Sequence, residues 1–312
     1  MANTDYKFAR DNNIYVIAGL PIESQVKYKY YAGIKEAVDD APAGSCVIVE
    51  AGTYLISSNY SSADAITINK NLNIHFSTGV VINNNCANYL TINGGDVIIT
   101  GDLEANTTVT LLAIDSATNN NVYVRIKKIT LSGTNKTAIQ INGSSTSDIK
   151  VGEINCTGSG SLGARITKMN SDSVLEIGKC NKLIAMDTTN LGVGGEINGT
   201  IKNTLLSGSS ASLGMIDIYN DANVSLRIIN SRIYNSHNGA ASAGITNTLS
   251  AGTCTIKLIN SVIQTTHASS ESIYSDTALT LMAFGSGANK AVNSNVTESV
   301  TGGLLVEADI TI

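Results

Sequence analysis

The side chains able to do acid–base chemistry are few and widely spread. The 312 residues include 25 Asp and Glu, 20 Lys and Arg, and 3 His. Cleavage of a glycosidic bond needs two carboxyls, one keeping its proton and one charged. Glu153, Glu176 and Asp187 are the first candidates for that chemistry. Glu153, Glu176 and Glu196 fall at intervals close to a repeat described below. Stacked in one column, they would repel one another and call for a metal or a basic partner. Out of column they are ordinary solvated charges, and this is the expected arrangement. Asp39 and Asp40 read as a solvated helix end before Pro42. His75, His237 and His267 lie too far apart for a three-His metal centre. No serine sits in the strand–turn–helix elbow that exposes a nucleophile. Gly192-Val193-Gly194-Gly195 has the composition of a phosphate loop, but no helix follows, so it reads as a corner turn. Cys46, Cys86, Cys156, Cys180 and Cys254 are odd in number and far apart, which fits neither a disulfide framework nor a zinc site. They are expected to be small, buried and reduced, and no metal or cofactor is expected.

Composition removes several function classes. Net charge is −5 with no basic run, so the electrostatic footprint of a nucleic-acid binder is missing. No window is apolar enough to span a bilayer. The start, Met1-Ala2-Asn3-Thr4-Asp5, lacks the layout of a secretory signal, so the expectation is either a chain not secreted by that route or one whose signal has been lost. Charged residues make up 14%, below the usual ~25%. There are 28 Gly, 2 Pro and no Trp, which disfavours a sugar cleft built on Trp platforms.

The elements that must position these residues are mostly strands. One helix is expected at about residues 31–40, where Ile34, Ala37 and Val38 share a face. Pro42 and Gly44 stop it. Short alternating strands follow, such as those at 65–68, 73–76 and 96–99. Similar strands then return regularly. With Ile99, Ile126, Val151, Ile177, Ile228 and Leu258 as anchors, the successive steps in numbering are 27, 25, 26, 51 and 30. The long fourth step hides a weak copy at Ile197 to Ile201. A period in the mid-twenties is one coil of a three-sided β-solenoid, whose coils bury their apolar faces only by stacking. About ten coils are expected. Residues 1–30 form an N-terminal arm, 31–265 the capped solenoid and 266–312 a closing segment. In the arm, Tyr6, Phe8, Tyr15 and Tyr28 either dock a partner or pack over the first coil. In the closing segment a strand at 278–284 precedes linker-like residues 285–303 and an apolar strand at 304–310.

The stretch from Ala32 to about Asn85 carries a resemblance. It reads Ala32-Gly33-Ile34-Lys35-Glu36-Ala37-Val38, then Gly44 to Val49, then Glu50-Ala51-Gly52-Thr53-Tyr54. This is similar to the entry of pectate-lyase-like β-helix proteins, where a short helix covers the open end and a proline-x-Gly-x-Tyr turn opens the first coil. Gly52 and Tyr54 match, and Glu50 replaces the proline. The resemblance implies an all-β, right-handed, single-stranded parallel β-helix with a short N-terminal capping helix. Pectate lyases also carry an arginine-x-x-proline-like motif and commonly hold calcium. None of Arg10, Arg125, Arg165, Arg227 and Arg232 sits in such a motif.

The superfamily contains lyases, hydrolases and bacteriophage tailspikes and fibres, so the site must decide among them. The expected function is a structural or adhesive virion appendage, made in the host cytoplasm and assembled as a homotrimer. It would meet other virion proteins through the N-terminal arm and bind host polysaccharide, with no nucleic-acid or membrane partner. A polysaccharide-cleaving enzyme and a bacterial surface β-helix protein are the alternatives.

Overall fold

The computed structural model describes residues 14–17, 28–31, 33–56, 65–84, 89–115, 120–187, 195–210, 214–238, 243–266, 272–285, 287–288 and 296–300. Alternation of apolar and polar residues dictates strands, and strands dominate: the fold is an all-β parallel solenoid of about eight turns with one short N-terminal helix.

The strands stack in three ladders. The first starts at Ser45–Val49, Leu72–Phe76 and Val97–Gly101. The second starts at Gly52–Ile56, Val80–Asn84 and Glu104–Thr107. The third starts at Ile66–Asn69, Leu90–Gly94 and Leu112–Ile114. Further on, single long strands serve two ladders. Asn121–Leu131 and Thr146–Cys156 run from the first into the second, and Ile216–Ile229 and Ile245–Ile259 run from the third into the first.

Register differs from the sequence anchors at two places. Ile99 pairs with Val124, two positions before Ile126. Leu175, two positions before Ile177, leads to Ile201, Ile228 and Leu258. A slip of two keeps every side chain on its face, since strand side chains alternate with period two. The weak copy expected at Ile197 to Ile201 is a full strand, Gly195–Lys202. Ile99, Val124, Leu175, Ile201, Ile228 and Leu258 are all fully buried along the axis. Burial of each such side chain contributes about 1.5–3 kcal/mol.

The corner between the first and second ladders has its own chemistry. Asn203, Asn230 and Asn260 occupy it with φ of 48°, 49° and 47°. Asn visits this left-handed region readily because its short amide bonds locally. The residue after each Asn makes a hydroxyl stack: Thr204 N–H donates to Ser231 Oγ at 3.2 Å, and Ser231 N–H to Ser261 Oγ at 3.1 Å.

The helix and the first strands come in the expected order. The helix is Ile34–Asp40, shorter than expected at its start, and it buries Ile34, Ala37 and Val38. Lys70 Nζ donates to the carbonyls of Asp39 and Ala41, satisfying acceptors left free at the helix end. Gly52 N–H donates to Gly79 O, and the Tyr54 hydroxyl donates to Glu50 O at 2.8 Å. Tyr15 lies in strand Ile14–Ile17 and Tyr28 in strand Tyr28–Tyr31. Ile14–Ile17 pairs antiparallel with both Ser45–Val49 and Tyr28–Tyr31, so the first edge of the first ladder is occupied. Tyr6 and Phe8 lie outside the described residues. At the other end parallel pairing continues beyond residue 265, through Leu279–Phe284 to Val296–Val300. This strand and Gly287–Ala288 fall where linker was expected, because Ser, Ala and Gly hide the alternation there. The expected strand at 304–310 lies outside the described residues.

Candidate functional site

Side chains that leave the core alternate with those that enter it, so functional groups collect on outward columns. On the second ladder one column runs Glu104, Lys128, Glu153, Lys179. On the first, Lys150, Glu176 and Lys202 stand in register. Glu153 and Glu176 are therefore on different columns, each between two lysines, and Glu196 stands beside Asn223. No acidic ladder forms from these three. Lys128 and Glu153 approach to 3.3 Å, and Lys150 and Glu176 to 2.5 Å. Burial pushes the Glu176 carboxyl up, but Lys150 and the amide of Asn203 outweigh it and hold the group below its ordinary value.

Asp187 has different surroundings. It is 2% exposed on the outer side of the third ladder. Arg165, from the preceding turn, forms an ion pair with Asp187 Oδ2, and Asn220 Nδ2 donates to Oδ1 at 2.8 Å. Tyr219 stands beside Asp187 in register and is hydrogen-bonded to it. Burial, and then the Asp187 charge, pushes the Tyr219 hydroxyl up to about 12. Asp217 is two positions away on the same strand, also 2% exposed, facing Ala185 on one side and Thr246 on the other. Burial pushes its carboxyl up to about 6. The Thr246 hydrogen bond opposes this and the Asp187 charge adds to it. Asp217 Oδ1 and Arg165 Nε are buried with no hydrogen-bond partner.

Two carboxyls thus sit together in unlike settings, one clamped by a guanidinium and one without a cation. Environments that push two acids apart separate the roles of proton donor and charged partner. Of the three sequence candidates only Asp187 enters this cluster. Asp217, Tyr219, Asn220, Arg165 and Thr246 were not grouped by sequence. The hidden signal is Ile216-Asp217-Ile218-Tyr219, an alternating strand with an acid on its outer face. It pairs with Ile184–Asp187, and the step from Ile184 to Ile216 is well outside the mid-twenties period.

The other candidates lie apart. Asp39 pairs with Lys35 and Asp40 with the Tyr31 hydroxyl, both at the capping helix. Arg227 donates to Ser171 O, Arg232 to Gln264, and Arg125 to Asp148 while stacking over Tyr123. His75 meets Thr100 and His237 meets Ser209. Arg10, Cys86, Gly192 to Gly194 and His267 lie outside the described residues. Cys156, Cys180 and Cys254 are free and buried, and burial pushes their thiols up to about 12, 11 and 12. Cys46 is free and half-buried. Among the described residues no three His, Cys, Asp or Glu gather as metal ligands. Among them, too, no helix is long and apolar enough to cross a membrane. No family model, curated protein or solved structure matches the chain.

Proposed function

We propose that this protein is a structural or adhesive appendage of the tailspike and fibre kind, a right-handed parallel β-helix displayed on a bacteriophage virion. The observation that carries this reading is the outer surface. Part of its charge is paired within the rod, with Glu104, Glu153 and Glu176 each joined to a lysine of a neighbouring turn. Such a surface suits rigid display and contact with uncharged host glycan better than general electrostatic capture. Three copies assemble side by side, and the N-terminal segment meets another virion protein. Sedimentation should give three times the 32.5 kDa chain mass. A monomer that neither enters virions nor binds host surface glycan would remove the proposal.

One observation favours a second reading, cleavage of a polysaccharide. Asp217 lacks a cation while Asp187 is ion-paired to Arg165, as a proton donor and a charged carboxylate would require. Release of new sugar ends from host polysaccharide, lost in both Asp187→Asn and Asp217→Asn, would establish it. Full release by either variant would exclude it.

A further inference from the structure

Charge is spread unevenly along the first ladder. In its middle turns Lys150, Glu176 and Lys202 alternate in sign. Farther on, that same column turns apolar, with Ile229, Ile259 and Phe284 in register and partly buried. The column beside it holds Arg227, Lys257 and Met282. Two cations of neighbouring turns thus stand directly opposite, an arrangement that destabilises a sheet. Residues 223–229, 253–259 and 279–284 contain no Asp or Glu. Among the described residues neither cation meets a carboxylate. Arg227 donates to Ser171 O, and Lys257 Nζ lies 4.9 Å from the centre of the Phe284 ring. A chain of net charge −5 therefore carries an unbalanced basic strip beside an apolar one.

The complement lies on another ladder of the same turn. Tyr274 stacks on Thr246 in the third ladder, and Phe284 stacks on Ile259 in the first. Thr246 and Ile259 belong to one strand, Ile245–Ile259, so the two rings share a height on the rod. Tyr274 is 37% exposed, one of three large apolar side chains that stand so far out among the described residues. Its hydroxyl donates to Asp276, which fixes ring and acid side by side. Asp276 is exposed and meets no cation among the described residues.

We infer that these two patches meet between copies: the face of Arg227, Lys257 and Phe284 on one copy seats Tyr274 and Asp276 of the next. The inference rests on the side-by-side assembly proposed above and names its contact. A closed ring joins unlike patches, and rotation about an axis along the rod moves nothing along that axis. Patches that pair in such a ring must lie at equal height, and these two do. Docking lays the Tyr274 ring on Ile259 and Phe284, which removes apolar surface from water. It also brings Asp276 between Lys257 and Arg227, supplying the countercharge that the single chain lacks there. An acidic glycan would answer the cations but leave Tyr274, on the other ladder, without a partner surface.

Sedimentation of the full chain tests the contact by charge reversal. Lys257→Glu and Asp276→Lys should each raise the concentration at which the assembly half-dissociates by about a hundredfold, the scale of like charges brought together at an interface. The double variant exchanges both signs and should return to within about tenfold of the natural chain. Tyr274→Ala should weaken assembly by about tenfold. Natural association of both single charge variants, or a double variant no better than the singles, would overturn the contact and leave the assembly standing. A natural chain that stays a monomer would remove assembly and contact together. Monomers that bind polygalacturonate, and lose it in Lys257→Glu, would assign the face to an acidic glycan and overturn the contact. If Lys257→Glu fails to fold by its far-ultraviolet spectrum, Asp276→Lys and Tyr274→Ala decide, and natural association of both would overturn the contact.

Discussion

Asp217 and Glu176 are acids on outward columns, and their surroundings send them in opposite directions. Asp217 binds its proton more tightly folded than unfolded, so the folded state holds more protons between about pH 4 and pH 6. Its contribution is fully present in acid and is lost as pH rises through about 6. Asp217→Asn should therefore exceed the natural chain in stability at pH 8 by up to about 3 kcal/mol, and the gain should vanish at pH 4, as read from urea midpoints. Glu176 behaves the other way, because Lys150 and Asn203 lower its proton affinity. Its contribution is present above the ordinary glutamate range and is lost as pH falls through the lowered folded value. Glu176→Gln should cost about 1 kcal/mol at pH 7 and less at pH 3. Added salt should shrink the difference, because Lys150 is 53% exposed. No sequence feature separates these two acids. Lys150 is a full turn before Glu176 in the chain, and only the register of the turns makes them neighbours.

At the scale of elements, the corners fix where strands stop and ladders begin. Asn203, Asn230 and Asn260 hold left-handed backbone at one corner, and Gly285 follows them at φ 57°. Asn230→Ala should cost about 1–2 kcal/mol and Asn230→Gly less, since glycine takes this conformation without strain. Paired thermal melts of the two variants measure the difference. Gly101 is stricter: at φ 108°, a side chain there would collide with the Phe76 backbone. Gly101→Ala should be the more damaging of the two alanine changes. Strands with a clean alternation were legible in sequence, as at Leu72–Phe76, where burial alternates without a break. The helix was legible from Ile34, Ala37 and Val38. Strands such as Val296–Val300 were not, because their membership rests on pairing with Leu279–Phe284 and not on their own pattern. Slips of two in register leave no mark on the sequence pattern for a related reason, since they keep the inward set unchanged.

Over the whole molecule, each turn depends on its neighbours, so damage should spread along the axis. Val124 is fully buried between Ile99 and Ile149. Val124→Asp should abolish folding of the middle turns, with loss of the cooperative urea transition as the readout. Removal of residues 1–41 takes away strand Ile14–Ile17 and the capping helix. The exposed strand Ser45–Val49 should then recruit other copies, and light scattering should detect the aggregates. The solenoid was legible because its period repeats many times. The Asp187 and Asp217 cluster was not, because it arises once, where the long step from Ile184 to Ile216 breaks that period. The ladders also have a mechanical meaning. Their N–H···O bonds lie along the rod, so a pull on its two ends loads the turns in series, like teeth of a zipper opened one by one. Force–extension curves should show repeated small peaks. Each should release one turn, adding about 90 Å of contour length. A single large rupture would mean that the turns share the load instead.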